Sequence, residues 1–176
     1  MASRAEFEPV LPFAGFLYIE NDILLNAIEL LQRVIPKLEC SSPAIPFNYS
    51  DYYNKELGGC PSRIWIASSE TADPSLLADW KIASNEIEAK LATSEGRRIN
   101  IDPGFIGLSK VVLASCKDHP QRVPLRGGIY AEIELIFRLE GWKNTDWTYR
   151  DYADAPAKQF LFEQREYLLT LIRDRR

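Results

Sequence analysis

Apolar positions recur along the chain with two periods, and the switches between them mark out the elements. Residues 13–19, FAGFLYI, form a dense aromatic and β-branched run behind Pro12 and predict a first strand. Asn21 or Asp22 then caps a helix in which Leu24, Ala27, Ile28, Leu31 and Ile35 fall on one stripe, and Pro36 ends it. Residues 37–49 read as extended, with Pro43 and Pro46 confining them to an edge or irregular strand. One or two helical turns follow in SDYYNKELGG, with Ser50 as cap and Gly58 and Gly59 as stop. Residues 62–67, SRIWIA, alternate as a strand. The clearest helix is DPSLLADWKIASNEIEAKLA. Asp73 caps it, Pro74 suits its first position, and Leu76, Trp80, Ala83, Ile87 and Leu91 form its buried stripe. Lys81, Asn85 and Glu88 share another side of it, either as a solvated ladder or as a polar row facing a cleft.

After Gly96 the period changes to two. Ile99 and Ile101 alternate with Asn100 and Asp102, and Pro103-Gly104 predicts a turn. Residues 105–116 fit either period; a short turn and then a strand over about 109–115 is preferred. QRVPL, then Arg126-Gly127-Gly128, then IYAEIELIFRLE predict a β-hairpin. Strict alternation in its long strand puts Tyr130, Glu132, Glu134 and Ile136 on one face, and Ile129, Ala131, Ile133, Leu135 and Phe137 on the other. Gly141 breaks that strand, NTDWTYRDYADAP predicts an aromatic loop, and a last helix runs over 156–173 with Leu161, Leu168 and Ile172 facing the core. The whole, residues 1–176, reads as a single α+β domain: three main helices on a mostly antiparallel or mixed sheet, whose opening strand–helix–strand order suits a ferredoxin-like half.

Charge changes this picture more than composition does. The chain is formally −4. Residues 97–126, however, hold six cations (Arg97, Arg98, Lys110, Lys117, Arg122 and Arg126) against Asp102 and Asp118. An acidic total argues against nucleic acid held by bulk charge, while a local excess of cations can focus a small anion. Arg offers a planar fork to phosphate or carboxylate, and Lys a compact charge. Candidate ligand contacts are Asn100, Lys110, Lys117, Arg122, Arg98, Lys81 and Asn85, with Tyr52 and Trp147 as aromatic walls. Asp102 and Glu132 are the candidate acid/base groups. Glu132 and Glu134, about 7 Å apart on one strand face, could also hold a divalent ion through water. His119 is the one histidine, which rules out histidine-rich metal motifs. Cys40, Cys60 and Cys116 are too scattered for a zinc knuckle and read as free, mostly buried thiols. No phosphate-loop, dinucleotide or nucleophile-elbow motif occurs. The first residues have mixed charge and no apolar core, and no run approaches the ~20 apolar residues of a membrane span. The expectation is a cytoplasmic protein without a membrane partner.

Several runs together, in this order, carry a family resemblance: Asp51-Tyr52-Tyr53-Asn54-Lys55-Glu56-Leu57-Gly58, Ser84-Asn85-Glu86-Ile87-Glu88 behind Lys81, Arg97 through Phe105 and on to Lys117-Asp118, Gly128-Ile129-Tyr130-Ala131-Glu132, and Trp147-Thr148-Tyr149-Arg150-Asp151-Tyr152. On these the chain resembles DUF4416, a small prokaryotic family. The resemblance implies a single-domain cytoplasmic protein and carries no activity with it. The chain departs from the family pattern at His119, where an aromatic is usual, and at Gln121, where a histidine is usual; Arg122 is retained. That favours gripping an anion over histidine chemistry.

Three roles are consistent with these residues. The first is an enzyme or binding domain for a phosphorylated or carboxylated small molecule. The second is a noncatalytic protein-interaction domain using the aromatics of DYYNKELG and NTDWTYRDY. The third is a single-stranded RNA binder, which the acidic total disfavours.

Overall fold

A computed structural model describes residues 5–139 and 141–174. Residues 1–4, where the segment read for a leader begins, lie outside them, as do the chain's last two residues. Strand β1 (Leu11–Tyr18) is buried along its whole length. That explains why its sequence is nearly continuous in apolar residues rather than alternating: both faces are covered. Helix α1 (Asn21–Leu31) follows, then the short strands β2 (Leu38–Ser41) and β3 (Ile45–Pro46), helix α2 (Asp51–Leu57) and strand β4 (Ser62–Ser68). The Ser50 hydroxyl accepts from the Tyr52 N–H, and Gly58 closes α2 at φ 79°, as the sequence predicts. A 3₁₀ turn over Pro74–Leu76, capped by Asp73, leads into helix α3 (Leu77–Leu91).

Strands β5 (Ile99–Ile106), β6 (Lys110–Ser115), β7 (Val123–Pro124), β8 (Tyr130–Arg138) and β9 (Gly141–Asn144) complete the sheet, and helices α4 (Arg150–Ala153) and α5 (Ala155–Arg173) end the described chain. The strand order is β2-β4-β1-β5-β6-β8-β7, with β3 on β4 and β9 on β8. Every pairing between these strands is antiparallel. Helices α1 and α3 pack on one face through Leu24, Ala27, Leu31, Trp80 and Ile87. Helix α5 packs on the other through Phe160, Leu161 and Leu168, against Phe13, Trp65 and Leu135. None of the described helices is long and apolar enough to cross a membrane.

The α+β class holds, and several details differ from the sequence reading. The described residues form five helices rather than three, because α2 and α4 are separate short elements. β1 lies at the centre of the sheet, between two antiparallel neighbours, β4 and β5. The Pro103-Gly104 pair makes no turn; β5 runs straight through it. Finally, the register of β6 against β8 slips between Val111 and Val112, leaving Glu134 as an extra residue in β8. Such a bulge re-aims the side chains beyond it. Ala131 accordingly packs with the α1/α3 layer and Leu135 with the α5 layer, so strict alternation fails at Glu134. The three cysteines are free but not buried: Cys60 and Cys116 are exposed and Cys40 is half-buried.

Candidate functional site

The site arises from a split in the sheet. β5 pairs with β6 only over Gly104–Ile106, against Val111–Leu113. Before Gly104, β5 keeps only its β1 neighbour; beyond Leu113, β6 keeps only β8. Between the parted strands opens a cleft of about 590 Å³. The β5 edge left bare there still needs hydrogen-bond partners. Helix α3 supplies them: Lys81 Nζ donates to the Ile101 carbonyl at 2.9 Å, and Glu88 Oε1 accepts from the Ile101 N–H at 2.5 Å. These two side chains stand where a strand would be, which is why a lysine and a glutamate are each only 7% exposed on this helix. Burial raises the Glu88 pKa, while Lys81, the Ile101 N–H and Arg97 oppose that shift. Arg97 bridges Glu88 at 2.8 Å and Glu56 at 2.6 Å, tying α2 to the same edge.

The floor is built on Gly15 and Arg63. Gly15 lies between Trp65 and Asp102 in register. A Cβ there would meet Tyr152 Oη at 2.8 Å and Arg63 Nη1 at 2.9 Å, so the glycine makes room for a buried guanidinium. Arg63 sits 2.7 Å from Asp151 and 3.4 Å from Asp102, with its guanidinium over the rings of Phe47, Trp65 and Tyr152. Asp102 Oδ2 accepts from Asn100 Nδ2 at 2.8 Å. Asp102 Oδ1 faces Lys81 Nζ at 4.0 Å and takes no hydrogen bond among the described residues. With 27% of its side chain exposed, Asp102 is the carboxylate of the floor that solvent reaches.

The wall on the β8 side is closed. Both oxygens of Glu132 are occupied, by Gln121 Nε2 at 2.9 Å and Arg122 Nε at 2.6 Å. Arg122 also donates to the Tyr149 hydroxyl and the Lys117 carbonyl. Behind them Glu134, fully buried, accepts from the Tyr149 N–H. Burial, aided by the neighbouring carboxylates of Glu132, Asp151 and Asp102, pushes its pKa up to about 8. Opposite, Phe47, Tyr49, Tyr52 and Tyr53 form an aromatic wall in which the rings meet mostly edge to face. Tyr49 donates to Asp154 at 2.6 Å, and that bond, with burial, raises its pKa to about 12. Lys117 and Arg150 line the cleft from exposed positions, and neither forms an ion pair with another described residue.

Of the residues the sequence singled out, Asp102, Glu132, Asn100, Lys117, Lys81, Asn85 and Tyr52 line this cleft. Arg122 stands behind Glu132 with 5% of its side chain exposed and holds the wall. Arg98 pairs with Glu20 at 2.7 Å outside the cleft. Lys110 and Trp147 line a second, apolar groove beside the start of α3. Sequence reasoning missed Arg63 and Arg150. Arg63 had a signal: it lies in phase with Trp65 and Ala67 on the inward face of β4. No cluster of three or more His, Cys, Asp or Glu side chains able to hold a metal occurs among the described residues.

A family model described as Domain of unknown function (DUF4416) matches residues 8–167. No curated protein and no solved structure matches the chain.

Proposed function

The chain belongs to the DUF4416 family, and from the geometry of its cleft we propose that it binds a small phosphorylated or carboxylated molecule there. The observation that carries this reading is the convergence of unpaired cations and one accessible carboxylate on a single tyrosine-walled hollow. Lys117 and Arg150 supply charge to the anionic group, which they meet without first breaking an ion pair. The tyrosines cover the body of the ligand. Asp102 Oδ1 is free to accept a hydrogen bond from it, and is the group positioned to take a proton if the bound molecule reacts. Glu132, with both oxygens committed, is a wall residue in this reading rather than an acid or base.

Ligand that binds only the folded chain raises its melting temperature. A panel of small phosphates and carboxylates should therefore raise the melting temperature of the wild-type chain. The double substitution Lys117→Ala with Arg150→Ala should remove that rise while leaving the unliganded melting temperature unchanged. An equal rise in the double variant would move the anion out of this cleft.

A protein-contact reading is favoured by a different feature, the apolar groove in which Phe7, Val123, Leu125 and Trp147 expose large side chains. Single-stranded RNA has less support, because Arg97, Arg98, Arg122 and Arg126 are each held by a carboxylate.

A further inference from the structure

We propose that the ligand of this cleft is a monosaccharide bearing a phosphate or carboxylate. This rests on the anion-binding reading above and narrows it. The lining of the cleft carries two kinds of chemistry. Lys117 and Arg150 offer charge alone. Other groups are suited to hydroxyls: Asp102 Oδ1 takes no hydrogen bond from the described residues, and Asn100, whose amide is oriented by its 2.8 Å bond to Asp102, lies beside it. Tyr152 is 1% exposed, lines the same cleft, and its hydroxyl has no hydrogen-bond partner among the described residues. A buried hydroxyl without a partner is uncommon, and a ligand oxygen would satisfy it. An acceptor-only carboxylate, an amide and a hydroxyl match the donor-and-acceptor character of sugar hydroxyls.

The negative charges argue the same way. Asp102, Asp151 and Glu132 lie along the inner surface. They would repel a second anionic group, while the open Oδ1 of Asp102 accepts a hydrogen bond from a neutral hydroxyl. The anion is thereby directed to Lys117 and Arg150 and the hydroxylated part to the floor. The aromatic wall disfavours a nucleobase. Tyr52 meets Tyr53 at 84° and Phe47 meets Tyr53 at 88°, so these rings pack into one another and form no parallel pair to clamp a flat base.

The test is calorimetric titration of the full chain with inorganic phosphate, glucose 6-phosphate, ribose 5-phosphate, glucuronate, glucose and adenosine monophosphate. At least one sugar phosphate, or glucuronate, should bind about tenfold or more tightly than inorganic phosphate, because a site built for hydroxyls discriminates strongly. Asp102→Asn should remove that gain and leave phosphate binding in place. Tyr152→Phe, which deletes only the hydroxyl argued above to meet a ligand oxygen, provides a second variant should Asp102→Asn fold poorly, and should reduce the same gain. If the phosphates all bind alike, or if adenosine monophosphate alone gains, the sugar assignment is overturned while the anion reading stands. If no anion binds at all, both fall together.

Discussion

Glu134 is the residue whose chemistry is most exposed to a direct test. Its pKa in the folded chain, about 8, lies above the ordinary value of 4.5. The folded state therefore holds this proton more tightly than the unfolded state does. The resulting stabilisation is complete below about pH 4.5 and is lost as the pH rises through about 8. A raised pKa of this size corresponds to stability on the order of 3 kcal/mol, allowing for relaxation of the buried site. Thermal unfolding followed from about pH 6 to about pH 9 should show a falling melting temperature, and Glu134→Gln should flatten that fall. An identical pH profile in the variant would show that the carboxylate titrates elsewhere. The sequence pointed to Glu132 and Glu134 as a pair but not to their environments. The bulge that separates them depends on the β6 register, a partnership that no local pattern encodes. Asp102 was legible because Asn100 and Asp102 fall on one face of an alternating strand. Arg63, its buried partner, was hidden by the expectation that arginine lies outside.

At the scale of elements, the split between β5 and β6 explains several features together. Because Ile101 turns its backbone polar groups toward α3, Pro103, two residues on, turns its own the same way, into the gap. A proline there forfeits no ladder bond, so what reads as a turn in sequence is tolerated within a central strand. The polar row of α3 was legible from its helical spacing. Its use was not, since the spacing is the same for a solvated ladder and for side chains that replace a strand. Lys81→Met should leave the Ile101 carbonyl unpaired and destabilise the chain by about 1–3 kcal/mol in denaturant unfolding. Glu88→Ala removes partners from both Arg97 and the Ile101 N–H and should cost about 3 kcal/mol or more. Unaltered midpoints in both would mean that water, and not α3, can satisfy this edge. Gly15→Ala should cost about 1–3 kcal/mol, because the added methyl meets Arg63 and Tyr152 and both are fixed. A neutral result would mean that the Arg63 guanidinium can withdraw.

Over the whole molecule, the two covered faces of the sheet were foreshadowed by the apolar runs of β1 and the stripes of α1, α3 and α5. Strand order was not, because it depends on pairings between residues distant in sequence, such as Phe13 with both Ala67 and Gly104. The charge asymmetry was visible, but its meaning changed. Four of the six cations between residues 97 and 126 are paired with carboxylates, and Lys117 alone of them meets the cleft without such a partner among the described residues, joined by Arg150 from α4. Exposed cations are screened by salt, so anion affinity should fall severalfold between roughly 0.05 and 0.5 M salt. The most direct measurement is a titration of isotopically labelled protein with glucose 6-phosphate, ribose 5-phosphate and glucuronate in turn, followed by the backbone amide resonances. The account predicts saturable shifts at Ser115, Cys116, Lys117, Tyr149, Arg150 and Asp151 with at least one of them. Shifts confined to Leu108, Val123 and Trp147 in the apolar groove, or none that saturate, would contradict it.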